Sequence, residues 1–147
     1  MKPKDRVVAY ITRGDRLLVF RHTMYPEAGV QTPAGHPEMG ESLEDAVIRE
    51  AEEETGLKGL KMERNLGSKM YDFTEQGAGL ERRHFYHLSY ASDSPERWLS
   101  YEYAPSDGTA SPVEFEMYWI KLETAELDWA TATCWTRLGV NNRPCSS

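Results

Sequence analysis

The chain has 147 residues, a formal net charge of −7 at pH 7 and a mean hydropathy of −0.65. That length suits one domain with one core, and the acidic balance argues against non-specific nucleic-acid binding. No N-terminal apolar run is long enough for a signal-peptide core or a membrane span, and Cys134 and Cys145 fit no metal-ligand spacing, so a cytoplasmic location is the default expectation.

In chain order, Val7 to Arg13 and Arg16 to Arg21 read as strands joined at Gly14-Asp15, a short hairpin signal. Residues 22–34 form a loop punctuated by Pro26 and Pro33, with a brief strand at Val30 to Thr32. Ser42 then caps a helix, with Asp45 in capping-box position, and Gly56 fits the left-handed residue that ends it. One strand is expected within Leu60 to Phe73 and another over Arg82 to Tyr90. A structureless stretch from Ala91 to Pro112 would be unusually long. Arg97 to Tyr103 has strand composition, so it reads as one arm of a hairpin returning through Val113 to Leu122. Thr124 caps a second helix ending near Gly139, and the domain is expected to span residues 1–140, with 141–147 a flexible tail. Strands on both sides of a helix, followed by a second helix, suggest an α/β sandwich with a mixed sheet.

The chemistry is concentrated in the first helix. At about 100° per residue, Glu50, Glu53 and Glu54 continue the face of Leu43, Ala46 and Val47, while Asp45, Arg49 and Glu52 fall on the opposite, polar side. Three carboxylates at i, i+3 and i+4 repel one another unless divalent cations bridge them, and then they make an oxygen-rich site suited to a phosphate substrate. Glu-rich helices are commonly just solvated. Here the acids prolong an apolar face, and Gly35 and Gly40 precede the helix where backbone can approach a ligand.

The stretch GHPEMGESLEDAVIREAEEETGL, Gly35 to Leu57, resembles the Nudix box. Gly35, Glu41, Arg49, Glu50, Ala51, Glu53, Glu54, Gly56 and Leu57 fill its fixed positions, Ala51 being small where a bulkier aliphatic is usual; Pro33, Ala34, Glu38 and Gly40 also match the family's pattern. The resemblance implies a Nudix-type α/β/α sandwich with a mixed sheet, the box forming a loop–helix–loop. It implies a metal-dependent pyrophosphohydrolase that cleaves a nucleoside diphosphate linked to another moiety, by attack of a metal-activated water on phosphorus. The ion implied is Mg²⁺, with Mn²⁺ as an alternative, held by Glu50, Glu53, Glu54 and a backbone carbonyl at Gly35. Glu53, Arg49 and Glu41 would take catalytic or orienting parts, Arg49 fixing a glutamate through a charge-assisted bond. The partner implied is a small nucleotide-type substrate, with neither nucleic acid nor membrane indicated; a homodimer is compatible with the same reading.

The general base stays open between a box glutamate and a later carboxylate. Glu114 and Glu116 share a strand face and are both candidates, set against an ordinary exposed strand face; Glu126 is a weaker one. His84 and His87, three apart on a strand, point to opposite faces and do not pair as ligands; His22 and His36 fall in loops. Arg21 and Arg83 are candidates for gripping phosphate, with Phe85 on the face of Arg83, although solvation is the simpler account of any one of them. Tyr71, Phe73, Trp98, Tyr101 and Tyr103 are candidates for stacking on a base, against plain packing. Asp72 stands where ADP-ribose pyrophosphatases usually carry proline, and Thr74 where diadenosine polyphosphate hydrolases usually carry tyrosine, so neither label is supported. A non-catalytic Nudix-like nucleotide-binding or regulatory module is the alternative function, and the intact carboxylates weigh against it.

Overall fold

The run Val7-Val8-Ala9-Tyr10-Ile11 is apolar on both strand faces, and the structure buries both. In the computed structural model, which describes residues 2–102 and 112–122, this run is the middle of β1 (Lys4–Arg13). The hairpin at Gly14-Asp15 leads into β2 (Arg16–His22), with Gly14 at a φ of 62° that a side chain would strain. A 3₁₀ turn at Pro26–Ala28 and the two-residue strand β3 (Ala34–Gly35) follow. Helix α1 spans Leu43–Thr55, and β4 (Lys61–Phe73), β5 (Gly79–Ser89), β6 (Arg97–Glu102) and β7 (Val113–Lys121) complete the described elements.

The sheet has the order β4-β5-β1-β2-β7-β6, with β3 beside β1. It is mixed: β1 runs parallel to β5, from Lys4↔Glu81 to Thr12↔Ser89, and its other pairings are antiparallel. The β6–β7 hairpin forms as the composition suggested, from Arg97↔Tyr118 to Glu102↔Val113. The brief strand expected at Val30 to Thr32 reduces to one bridge, Gln31 to Phe20, and the pairing moves to Ala34 and Gly35. Pro33 explains the shift: it has no N–H, but its carbonyl accepts from Ala9, which sets the next two residues against β1.

Alternation divides the core. Val7, Ala9, Ile11, Leu18, Phe20, Tyr86, Leu88, Phe115, Met117 and Trp119 pack with Ala46, Val47 and Ala51 of α1. Val8, Tyr10, Leu17, Val19, Leu66, Tyr71 and Phe85 form a second buried cluster on the opposite face. The fold class is therefore α/β with a mixed sheet; the second helix (Thr124 to Gly139), the 141–147 tail, both cysteines, Tyr103 and Glu126 lie outside the described residues. Among the described residues no helix is long and apolar enough to cross a membrane.

Candidate active site

Capping fixes the frame of α1. Ser42 Oγ accepts the Asp45 N–H at 3.1 Å, and Gly56, at φ 79°, donates its N–H to the Glu52 carbonyl at 2.9 Å. Elements distant in sequence then grip the last turn. Trp98 Nε1 donates to the Thr55 carbonyl at 2.9 Å, and Ser100 Oγ donates to the Glu54 carbonyl. The Glu52 carboxylate accepts from the N–H of Gly59 at 3.0 Å. Carbonyls that a helix end leaves without partners are thus met by β6.

The carboxylates face the chain just before the helix. Glu54 Oε2 accepts the Ala34 N–H at 3.2 Å. At Gly35 a Cβ would overlap the carboxyl group of Glu50, so only glycine lets the β3 backbone lie against that side chain. Glu50, Glu53 and Glu54 line a cavity of about 230 Å³ together with Tyr101 and Glu102 at the end of β6.

Arg49 ties this corner together. Its Nε and Nη2 donate to the two oxygens of Glu41 at 2.8 and 2.9 Å, its Nη1 to Glu50 at 3.0 Å and Glu53 at 3.3 Å, and its Nη2 also to the His36 carbonyl at 3.1 Å. The wheel set Arg49 on the opposite, polar side, and the structure corrects this. Its Cα lies beside that of Glu53 on the helix surface, and the long side chain turns back to the acids. Glu53 is itself 61% exposed rather than a continuation of the buried face.

The charges respond accordingly. The Arg49 hydrogen bonds, helped by the Glu38 N–H, hold the Glu41 carboxyl down at about 2, and Glu41 in turn raises the Arg49 guanidinium. Burial pushes the Glu54 carboxyl well above the usual range; the charge of Glu102 adds to this, and the Ala34 N–H opposes it. Burial also raises Glu50, with Arg49 opposing and Glu53 and Glu102 adding. Among the described residues no three His, Cys, Asp or Glu side chains converge tightly enough to hold a metal ion as they stand. The donors nonetheless fit a hard divalent cation. They are all oxygen, they repel one another, two resist ionisation without a compensating charge, and bare glycine backbone lies alongside.

The other sequence candidates are placed elsewhere. Glu114 and Glu116 do share a face, but α1 packs on the alternate one, against Phe115, Met117 and Trp119. Glu116 accepts from Arg21 at 2.9 Å and Arg97 at 3.2 Å, and Glu114 accepts from Thr23 Oγ1 at 2.7 Å, so neither joins the box acids. Arg21 is committed to Glu116. Phe85 is 0% exposed and stacks on Tyr10 with ring centroids 5.9 Å apart, which makes it a core group rather than a ligand contact. Arg83 donates to Glu81 at 2.6 Å on the same face. His84 and His87 do point apart, to Asp5 and Thr12. Glu102 was missed. The signal was the alternation Trp98, Ser100, Glu102, three polar-capable groups on one strand face, but only the pairing of β6 shows that this face meets α1.

The family model for the NUDIX domain matches residues 2–136. The chain belongs to the NUDIX domain family. It is 36% identical over 67 residues to the NAD-capped RNA hydrolase NudC of Pseudomonas aeruginosa, covering 46% of this chain and 24% of that protein. It is 42% identical over 52 residues to the NudC of Shigella flexneri, covering 35% of this chain and 20% of that one. The aligned part thus amounts to a quarter or less of the length of these relatives. Among solved structures it resembles the MutT NUDIX hydrolase from Burkholderia pseudomallei (TM-score 0.66, 24% identity, 94% of this chain and 99% of that one). It also resembles a NUDIX hydrolase from Nitrosomonas europaea (TM-score 0.53, 29% identity, 65% and 64%). Gly35, Arg49 and both ends of α1 lie within the matched residues.

Proposed function

We propose that this Nudix chain is a metal-dependent pyrophosphohydrolase cleaving a phosphoric anhydride in a nucleoside diphosphate linked to another moiety. The observation that carries this reading is the desolvation of Glu50, against the bare backbone of Gly35, and of Glu54, on the Ala34 N–H, in a cavity that Glu102 also lines. A merely solvated acidic face has no reason to desolvate two carboxylates beside a third.

Glu50, Glu53, Glu54 and the Gly35 carbonyl are the groups that would hold Mg²⁺, or Mn²⁺ in its place. When bound, such ions supply charge neutralisation for the anhydride and a more acidic water. The protein's own contribution is positioning. Arg49, fixed by both oxygens of Glu41, orients Glu50 and Glu53. Ala34 and Ser100 hold the carboxylate and the carbonyl of Glu54. Glu102 is suited to take the proton of the attacking water as oxygen bonds to phosphorus and the anhydride P–O bond breaks, the leaving phosphate departing as an anion. Glu53, the exposed member of the trio, is the other candidate for that proton.

The NudC relatives are named for hydrolysing NAD-capped RNA. A dinucleotide anhydride, free or at an RNA end, therefore leads the substrates to test, which reopens the expectation that no nucleic acid is involved. The experiment is a Mg²⁺-dependent hydrolysis screen over dinucleotides, NAD-capped RNA, nucleoside triphosphates, dinucleoside polyphosphates and nucleotide sugars. Turnover that requires the ion and vanishes in Glu54→Gln is expected. Nucleotide binding without turnover on any of them would instead support a regulatory module.

A further inference from the structure

On the face turned away from α1, beyond the apolar cluster of Val8, Tyr10 and Phe85, the strands β1, β5 and β4 carry a group of cations at the Lys4 end, in a chain of net charge −7. The register sets Arg6 beside Arg83, and Arg83 beside Lys69. Neighbouring strands stand roughly 5 Å apart, so these cations form a row roughly 10 Å long. In the adjacent row Lys4 stands beside Glu81, and Glu81 beside Tyr71. Across both rows there is one carboxylate against four cations, and it is engaged by Arg83 Nε at 2.6 Å. Asp5 and Asp72, on the same strands, alternate to the other face, where Asp5 Oδ1 meets His84 Nε2 at 2.9 Å.

Like charges on adjacent strands weaken the pairing, so such a row requires a compensating reason. Its geometry is also held in place. The Arg83 guanidinium lies 4.9 Å from the Tyr71 ring centroid and 5.4 Å from that of Phe73, and these two rings stack at 5.8 Å with an interplanar angle of 1°. Lys69 Nζ lies 5.8 Å from the Tyr71 centroid. Arg6 and Lys69 are half-buried, and neither has an ion pair among the described residues. The row starts at the candidate active site: Val8, two residues after Arg6, pairs with Ala34, whose N–H holds Glu54.

We infer that Arg6, Arg83 and Lys69 form an anion site that receives a phosphate of the substrate beyond those of the anhydride being cleaved. The substrate class is then one with an additional phosphate, either the third phosphate of a nucleoside triphosphate or a phosphodiester of an RNA. The identity of the ligand as substrate rests on the hydrolase reading; the existence of the site does not. Arg83 and Lys69, already held over aromatic rings, lose little freedom on binding phosphate.

The first measurement needs no catalysis: calorimetric binding of inorganic tripolyphosphate in EDTA. The wild type should bind, more weakly as KCl is added, and Arg6→Gln with Lys69→Gln should weaken binding at least about tenfold. Lys58→Gln, at an exposed position outside the row, should bind as the wild type does, and Arg6→Lys should retain most of the affinity. No binding by the wild type, no loss in the double variant, or an equal loss in Lys58→Gln each overturns the anion site; melting curves confirm that the variants fold. With substrates, the KM of the double variant should rise at least about tenfold for a nucleoside triphosphate or for a capped oligoribonucleotide, and the one that responds names the source of the phosphate. If tripolyphosphate binds as expected but nothing is hydrolysed, the hydrolase reading fails and the anion site stands. If hydrolysis proceeds with KM unchanged in the double variant for both substrates, the row does not receive a substrate phosphate and the inference fails.

Discussion

Glu54→Gln separates stability from function in opposite directions. In the metal-free protein Glu54 is buried, its nearest compensation is one N–H, from Ala34 at 3.2 Å, and Glu102 and Glu50 both oppose its ionisation. Glutamine keeps an oxygen for that N–H and removes the charge. The sign follows from linkage: the folded carboxyl holds its proton above 4.5, the ordinary value, so the native state binds more protons than the unfolded chain, and stability falls as pH rises from about 4.5 through the raised value. At pH 8 in EDTA the variant should be more stable than the wild type by about 1–3 kcal/mol, the cost of a buried polar group left short of partners. For a chain of this size that is about 2–4 °C in Tm per kcal/mol. At pH 4 both side chains are neutral and the gap should close. Mg²⁺ at ten times its Kd should return about 1.4 kcal/mol to the wild type and much less to the variant. Differential scanning calorimetry in EDTA and in Mg²⁺, at pH 4, 6 and 8, reads all three. A variant less stable than the wild type at pH 8 in EDTA, or a difference between the two that does not widen from pH 4 to pH 8, would refute the burial reasoning. The difference is the quantity to read, because burial lowers the His87 pKa and makes both proteins gain stability as pH rises toward 6.5.

Arg49→Lys keeps the charge but cannot span both oxygens of Glu41 while reaching Glu50; steady-state kinetics should show kcat about 10- to 100-fold lower, with little rescue at higher Mg²⁺. Gly35→Ala drives a methyl into the Glu50 carboxyl, so urea melts should register about 1–3 kcal/mol of destabilisation alongside a collapse of turnover. Glu102→Gln should fold normally and lower kcat by about 10²–10⁴ with the acidic limb of the pH–rate profile displaced; an unaltered profile would remove Glu102 from the proton transfer. Ser100→Ala takes a donor from the Glu54 carbonyl and should cost about 1 kcal/mol, measured by thermal melting.

Much of this was legible because local rules act on adjacent residues. Ser42 and Gly56 end the helix by bonding within three or four positions, the continuous apolar runs of β1 and β2 are readable because a core meets each face, and β7 keeps its alternation with α1 on one side. Other features depend on what is brought alongside. A helical wheel gives the angle of the Arg49 Cα but not the end of its side chain, several bonds away. Alternation correctly put Glu114 and Glu116 together, yet the face that meets α1 is chosen by Phe115, Met117 and Trp119, so the pair ended on the wrong side for the site. β3 has two residues, too few for any period, and its position follows from a proline carbonyl bonding to Ala9.

Glu102, the proposed proton acceptor, shows why a carboxylate facing the box acids comes from a strand distant in sequence. The box supplies its acids from one helix, and acids on one helix share its direction, so they line only one side of a ligand. A group on the opposing side must be delivered by another element at a fixed distance. β6 does this as the outermost described strand of the sheet, tied to β7 along its length and to the α1 terminus by Trp98 and Ser100. The same face that fastens β6 to the helix carries Glu102 two residues further on. Its position relative to Glu54 is therefore set by the bonds that close the helix end, and loosening them should alter the proton chemistry before it unfolds the protein.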